Sequence, residues 1–401
     1  MRLPVSRRTR VIAALAAAVA VAVVLTVLVR GGGAGAPLVA PRYGPDPVPA
    51  LRTLSAHDLP PRCGVRAATV RRYAPGGHAG AGRRAHCQWY SLNAGRKRCG
   101  FCPSNGGDRE RVLEVVISTG TTPTLGRSAG GDALRALDPA GLVTAGTPGR
   151  TVTGLGDEAL YRYSPALDGG ATLTFRVGAA VATVTYSGRD FFTHRMPGEV
   201  PEKSAKPAVL AAAADVAGAL HARARPAFTP AGPGPVPLRH VPRPCDLVPG
   251  AVAGRLAAHA TRTRAPVPPA IAAAVATQSG LAADTCAWDA ARHLSVTLAW
   301  RPDRGRTLAV PEATRLYRES HEDARATGVR ALRDLGDQAY AAYGAPPDQR
   351  TAEVTYRYRD VIVLVTYSGA TDAPLPRATA LTGAYTAAVH TFAALSGSGH
   401  A

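Results

Sequence analysis

The sequence predicts an α+β protein of two tandem domains, each an antiparallel sheet with helices packed on one face, after an N-terminal transmembrane helix. Three observations lead to this: an internal repeat, alternating segments followed by Ala-rich amphipathic ones in each copy, and one long apolar run near the start. The 401 residues, 46% of them hydrophobic, are enough to bury two cores. The composition excludes collagen, coiled coils and polytopic membrane proteins.

The apolar run from Val11 to Val29 predicts the transmembrane helix, because such a helix spans roughly 28 Å, close to the thickness of a bilayer core. Arginines before the run place the N-terminus in the cytoplasm: Arg2, Arg7, Arg8 and Arg10. We therefore expect residues 1–30 to be a cytoplasmic stub and single-pass anchor in the cell membrane, contacting lipid through residues 11–29. A cleaved secretory signal ending near Ala34–Ala36 is the alternative. Either way, the chain from about residue 31 is expected outside the cytoplasm.

Four short motifs occur twice in the same order, which indicates a tandem duplication. The pairs are Pro61-Arg62-Cys63 with Arg243-Pro244-Cys245, Cys87-Gln88-Trp89 with Cys286-Ala287-Trp288, Leu155–Ala159 with Leu335–Ala339, and Val184–Gly188 with Val365–Gly369. The two copies are predicted to be globular domains separated by linkers, in this order: linker 31–54, first repeat 55–225, Pro/Gly linker 226–240, second repeat 241–397.

Each copy predicts the same elements in the same order. The first Cys opens a helical segment, a short strand carries the second Cys and a Trp, and an alternating strand follows. A helix, a strand after the Gly-Asp motif, a β-hairpin and a closing Ala-rich helix complete the copy. In the first copy the predictions are a helix over 63–73, a strand over 112–118, a helix over 132–137, a strand ending at 163, a hairpin of 171–177 with 181–186, and a helix over 207–223. In the second copy they are a helix over 245–259, a strand over 294–300, a helix over 311–327, a strand ending at 343, a hairpin of 352–358 with 361–367, and a helix over 377–395.

The six cysteines are expected to be paired, because the chain is expected to be exported. Equivalent positions in the duplication predict the pairs Cys63–Cys87 and Cys245–Cys286. Cys99 and Cys102 have no counterpart in the second copy and are predicted to pair with each other. Their Cys-x-x-Cys spacing also suits redox chemistry or, with His86 and Cys87, a zinc site. A turn rather than a helix follows Cys102, which disfavours redox chemistry, and the duplication already assigns Cys87 to Cys63, which disfavours zinc. A structural disulfide is therefore favoured.

The order of Cys63, Cys87-Gln88-Trp89, Gly154–Ala159, the hairpin and the closing helix resembles an actinobacterial exported lipoprotein family known as domain of unknown function 3558. The resemblance implies two tandem copies of the family domain in this chain. The resemblance implies a place at the cell envelope and supplies no catalytic residues. This chain differs from the family pattern because it lacks the lipidated cysteine and carries the domain twice.

Linear motifs for catalysis are weak in this sequence. Gly126–Gly130 matches G-x-S-x-G around Ser128, but a loop precedes it, so a Gly-rich turn is the favoured interpretation. Asp157 and Asp337 follow glycine and are interpreted as turn caps. His321-Glu322-Asp323 is interpreted as a solvated helix face. We expect no metal site and no cofactor, and we do not expect an enzyme.

The net charge of +19 is concentrated in one region. Residues 62–111 hold eleven Arg or Lys against Asp108 and Glu110, while the second copy lacks this basic insert. The candidate binding residues are Arg83, Arg84, Arg96, Lys97 and Arg98.

These features lead to the interpretation of a membrane-anchored extracytoplasmic binding or accessory protein of the cell envelope. Its basic face in the first repeat would contact an anionic lipid, a wall polymer or an acidic protein, since arginine suits phosphate. Nucleic acid fits the charge but not the compartment. A solvated basic face without a ligand is one alternative, and a cell-envelope hydrolase with a site assembled from loops is another.

Overall fold

The structure of the protein is a computed structural model that covers most of both repeats. The residues that it describes are 37–46, 48, 50–76, 78–79, 84–92, 109–119, 133–134, 137, 149–164, 170–190, 198–228, 237–238, 240–268, 271–272, 275, 281–300, 309–325, 328–344, 350–370 and 372–398.

The first repeat forms an antiparallel sheet whose described strands follow the order β1-β2-β3-β7-β6-β5-β4-β9, with β8 paired to β7. Alternating side chains of its long strands point to one core, which explains why these segments become strands. The strands are β1 His78–Ala79, β2 His86–Leu92, β3 Arg109–Ser118, β4 Arg150–Leu155, β5 Glu158–Ser164, β6 Gly170–Val177, β7 Ala180–Asp190, β8 Gly198–Glu199 and β9 Ala224–Phe228.

The second repeat forms a second antiparallel sheet in the order β10-β11-β12-β16-β15-β14-β13. This order matches the first seven positions of the first sheet, strand for strand. The structure thus confirms the α+β class with two antiparallel-sheet domains. The strands are β10 Thr261–Arg264, β11 Ala282–Asp289, β12 Arg292–Trp300, β13 Arg330–Ala331, β14 Gln338–Tyr343, β15 Ala352–Tyr358 and β16 Val361–Gly369.

Two long Ala-rich helices close the cores as predicted, although their bounds differ. The helix that closes the first repeat begins at Glu202 rather than at residue 207, with Pro207 inside it. Pro207 removes a hydrogen bond to the carbonyl of Lys203, but the buried Ala205 and Val209 hold the first turns against the core. The helices are α1 Ala67–Tyr73, α2 Glu202–Ala219, α3 Pro244–Leu247, α4 Gly250–Leu256, α5 Ala309–Ala324 and α6 Arg377–Ser398, with 3-10 turns at Ala56–Asp58 and Pro61–Gly64.

The expectation that helices pack on one face of each sheet is wrong for the second repeat. Helix α6 packs on one face of the sheet, and helix α5 covers the other face. The reason is that the strands are apolar on both faces: Tyr340 and Ile362 point away from the α6 core and pack against Leu316 and Tyr317 of α5. Apolar side chains on the second face require a second cover.

Residues 37–54, part of the predicted linker 31–54, run across both repeats, and we call them the brace. Tyr43 forms an antiparallel bridge to Leu332, beside the edge strand β13. Val48 belongs to the α5 cluster, whereas Leu54 belongs to the core of the first repeat. The brace therefore adds one bridge to the edge of the second sheet and side chains to both repeats.

The predicted linker 226–240 overlaps β9, since Ala224–Phe228 pairs with the edge strand β4. Strand β9 occupies the place in the first sheet that the brace takes in the second. In the part of the chain that the structure describes, no helix is long and apolar enough to cross a membrane. The transmembrane helix predicted over 11–29 lies outside the described residues and stays a prediction.

Candidate functional site

Two disulfides join the first helical segment of each repeat to its first long strand, as the duplication predicts. They are Cys63–Cys87 and Cys245–Cys286. Disulfides of this structural kind are typical of proteins outside the reducing cytosol. Cys99 and Cys102 lie outside the described residues, so their pairing stays a prediction.

The first disulfide organises a group of exposed arginines, which we call the basic end. The Sγ atom of Cys63 lies 3.4 Å from the carbonyl oxygen of Arg84, so the bend before α1 and the turn before β2 are held together. Exposed arginines occupy this bend, α1 and the turn: Arg62, Arg66, Arg71, Arg72 and Arg84. Of the predicted binding residues, Arg84 is therefore at the basic end. Arg83, Arg96, Lys97 and Arg98 lie outside the described residues.

The carboxylates near the basic end are already engaged. Asp215 accepts hydrogen bonds from the backbone and side chain of Arg66, and it is itself buried. Hydrogen bonds from Ser55 lower the pKa of Asp58. Glu114 contacts His86 at 2.8 Å. Among the described residues, the pair of Arg66 with Asp215 is the one ion pair that involves an arginine of the basic end.

Three arginines of the basic end form no ion pair with any carboxylate that the structure describes: Arg62, Arg71 and Arg72. Arg72 stacks over Tyr73 at 5.4 Å, and Arg84 donates a long hydrogen bond to the carbonyl of His57. The guanidinium groups of Arg62, Arg71 and Arg72 are therefore available to an anion from solvent.

A second candidate site is a cleft of about 530 Å³ where the two repeats and the brace meet, which we call the interdomain cleft. Two carboxylates, Asp157 and Glu322, line it beside a larger number of cationic side chains. Its cationic lining is Arg52, Arg176, Arg223 and Arg318, and its apolar lining includes Val48, Leu51, Leu134 and Val177. The sequence analysis did not find this site.

The repeated Gly-Asp motif shapes one wall of the interdomain cleft. Asp157 accepts hydrogen bonds from the Gly178 backbone at 2.7 Å and from Arg176 Nη1 at 3.2 Å. It therefore caps the turn of the β6–β7 hairpin, which confirms the predicted role of this aspartate. Gly156 adopts φ +55°, and a Cβ there would lie 2.3 Å from the Arg176 carbonyl oxygen, so only glycine fits.

The second repeat reproduces this arrangement. Asp337 accepts hydrogen bonds from the Arg359 backbone at 2.8 Å and from Arg357 Nη1 at 2.9 Å. Burial lowers the pKa of both Arg176 and Arg357, and the facing aspartates act in the opposite direction. The signal that could have found the buried arginines was their equivalent place in the two copies, where each is the next-to-last residue of the strand before a hairpin turn.

The interpretation of His321-Glu322-Asp323 as a solvated face is wrong for its first two residues. His321 and Glu322 are buried, because α5 covers the second sheet and the brace covers α5. Burial lowers the pKa of His321 and raises the pKa of Glu322. Asp46 of the brace contacts His321 Nε2 at 3.2 Å.

The described residues add no support for catalysis or for metal binding. Ser128 lies outside the described residues, so the hydrolase alternative stays untested. Among the described side chains, no group of three or more His, Cys, Asp or Glu could hold a metal ion.

Comparison with known proteins gives little further information. No protein-family model and no curated protein matches the sequence. A crystal structure of MucB in complex with MucA(peri) aligns at 15% identity, covering 75% of this chain and 85% of that chain, with a TM-score of 0.14. Similarity at this level supports no argument about fold or function.

Proposed function

We propose that the protein is a membrane-anchored, extracytoplasmic binding or accessory protein of the cell envelope that contacts anionic material through the basic end of the first repeat. The observation that carries this proposal is the group of exposed arginines gathered by Cys63–Cys87, with the nearby described carboxylates already engaged. The planar guanidinium donates paired hydrogen bonds to phosphate or carboxylate oxygens, so such a group favours anionic surfaces.

Residues 93–108, which carry the basic insert, connect β2 to β3 in the sequence and add positive charge there. Arg96, Lys97 and Arg98 follow β2 closely along the chain, and Arg83 precedes it. The two disulfides support an oxidising compartment, and the apolar run supports attachment to the cell membrane. An anionic lipid or a phosphate-bearing wall polymer is the matching chemistry in that compartment.

A binding measurement tests the proposal. The full-length protein, reconstituted in nanodiscs of neutral lipid and immobilised, is exposed to phosphatidylglycerol vesicles, phosphatidylcholine vesicles and wall fragments across a salt series. We expect binding to phosphatidylglycerol or wall fragments that weakens steeply with salt. The double variant Arg71→Glu, Arg72→Glu should weaken it by about tenfold or more, since each charge near an anionic surface contributes about 1 kcal/mol.

The matched control makes the same change of charge at the second repeat. Arg243→Glu, Arg262→Glu replaces two exposed arginines there and should leave binding within about twofold of wild type. A second variant, Arg96→Glu, Lys97→Glu, Arg98→Glu, tests the insert. Binding that ignores salt, or that falls equally in the control, contradicts a specific role for the basic end.

A further inference from the structure

One wall of the interdomain cleft contains a buried arginine whose hydrogen-bonding capacity is incompletely used. Arg176 is 5% exposed, and its Nη1 atom donates to Asp157 and to the Gly178 carbonyl. Its Nε atom is buried and has no acceptor among the described residues. A buried donor without a partner is costly, so this guanidinium keeps unused hydrogen-bonding capacity at the wall of the cleft.

The equivalent residue of the second repeat shows what is missing. Arg357 Nε donates to Gln338 Oε1 at 3.2 Å, so that guanidinium is satisfied within its own repeat. The first repeat has Glu158 at the position of Gln338, directly across the strand pair from Arg176. Its charge acts on Arg176, but no hydrogen bond joins the two side chains, and Glu158 Oε2 is also buried without a partner. The two repeats thus share the buried arginine but not its partner, and the unsatisfied copy is the one that lines the cleft.

Further cations face the same space. Arg318 of α5 is exposed, lines the cleft, and forms no ion pair with a carboxylate that the structure describes. Its charge lies near both Arg176 and Arg357. The cleft's two carboxylates are already used, because Asp157 pairs with Arg176 and Glu322 pairs with Arg325. An anion in the cleft would therefore meet a positive excess.

We propose that the interdomain cleft binds a small organic anion, whose phosphate or carboxylate group accepts hydrogen bonds from Arg176 and Arg318 and whose apolar part packs on Val48, Leu51 and Leu134. The volume of about 530 Å³ matches pockets that hold small organic ligands. Guanidinium groups suit phosphate and carboxylate equally in geometry, so the head group is assigned only to that shared chemistry.

The interdomain cleft is a separate site from the basic end, and different parts of the chain form it. It needs both repeats, since Arg176 comes from the first and Arg318 from the second. It also needs the brace, which contributes Val48, Leu51 and Arg52. Occupancy of the cleft would therefore stabilise the two repeats and the brace against each other, because a ligand stabilises the state that binds it.

The test uses the full-length protein in neutral nanodiscs, with binding followed by ligand-observed NMR and calorimetry. The probes are phenyl phosphate, phenylacetate, inorganic phosphate and neutral benzyl alcohol. We expect saturable binding of phenyl phosphate or phenylacetate, with the better one identifying the head group. Inorganic phosphate should bind more weakly and benzyl alcohol should not bind. Arg318→Gln should weaken binding by about tenfold, as loss of a hydrogen bond from a charged donor does.

Arg318 is exposed, so its replacement leaves the fold intact and the result reports on the cleft. Arg71→Glu, Arg72→Glu is the matched control, because it removes cations from the basic end and should not change the affinity for the probes. The proposal is overturned if Arg318→Gln binds like wild type, if the control loses binding, if benzyl alcohol binds as well as the anions, or if neither organic anion binds.

Discussion

The carboxylate of Asp46 lies 3.2 Å from Nε2 of His321, a side chain that is completely buried beneath the brace. The approach is electrostatic rather than a well-aligned hydrogen bond. Arg325 contacts Asp46 at 3.3 Å and donates to the carbonyl of Val48 at 2.8 Å. The brace is therefore fastened to α5 by a charged cluster whose centre is a buried imidazole.

This contact predicts a pH-dependent stability. Burial lowers the pKa of His321 below its ordinary value of about 6.5, despite the opposing effect of Asp46. The unfolded chain then binds the proton more readily than the folded one, so the contribution is fully present above about 6.5 and is lost as pH falls from there toward the folded pKa. We expect the free energy of unfolding to decrease over that range, measured by urea denaturation with tryptophan fluorescence.

Replacement of the histidine isolates this effect. His321→Phe should flatten the decline of the free energy of unfolding, because it removes the imidazole that titrates. The surrounding side chains stay in place in this variant: Asp46, Glu322, Arg325, Tyr317 and Tyr340. The control is His57→Phe, which removes an exposed histidine and should leave the slope unchanged. An equal slope in wild type and His321→Phe would show that His321 does not titrate differently in the folded state.

The Gly-Asp motif predicts a cost for any side chain at its glycine. Gly336 adopts φ +61°, and a Cβ there would lie 2.4 Å from the Arg357 carbonyl oxygen, which is rigid backbone. Gly156→Ala and Gly336→Ala should each destabilise their own repeat by clearly more than about 1 kcal/mol, measured by urea denaturation. Gly76→Ala is the control, because Gly76 has φ +73° with nothing within 4 Å. A loss of stability as large at Gly76 would assign the cost to backbone strain alone.

The disulfides predict two separable effects. Replacing Cys245 and Cys286 by alanine opens a loop of 41 residues, and replacing Cys63 and Cys87 opens one of 24. Each change should lower the free energy of unfolding by about 3 to 4 kcal/mol. The Cys63–Cys87 variant alone should also weaken binding to anionic vesicles, because that bond positions Arg84 at the basic end. Equal vesicle binding by both variants would contradict this positioning role.

The bridge between the brace and the edge of the second sheet predicts a local effect on hydrogen exchange. The Gly44 N–H donates to the Ala331 carbonyl and the Arg333 N–H donates to the Arg42 carbonyl. Gly44→Pro removes the first bond and should speed exchange of the Arg333 amide by about fivefold, as loss of one ordinary hydrogen bond does. The neighbouring Leu332 amide, which donates to Ala339 within the sheet, should keep its rate. Parallel acceleration of both amides would mean that the whole edge opens.

Much of the fold follows from local pattern. The hairpins at Val177 and Tyr358 were predictable because alternation is encoded within a few residues of each turn. The disulfides were predictable because the duplication places each pair at equivalent positions. What local pattern does not encode is pairing over long distances in sequence, such as the hydrogen bond from the Val39 backbone to Thr386, 347 residues away.

The same limit explains the errors at the candidate sites. His321 and Glu322 look like a solvated helix face because their cover comes from the far end of the chain. Arg176 and Arg357 look like outward-pointing strand residues, since the sheet face that carries them is exposed in many antiparallel proteins. The basic end was partly predictable because charge and the first disulfide are both visible in the sequence, although its members Arg71 and Arg72 were not singled out.

The brace has a consequence for the order in which this protein assembles. Tyr43 and Val48 are synthesised long before the strands and helix that they contact in the second repeat. The first repeat can close around Leu54 while the residues ahead of it still lack their partners. The two repeats and the brace are therefore complete only when the second repeat has folded against the brace. A chain that stopped after the first repeat would leave apolar side chains of the brace exposed to water. Exposed apolar surface is what chaperones and proteases bind in incompletely folded proteins.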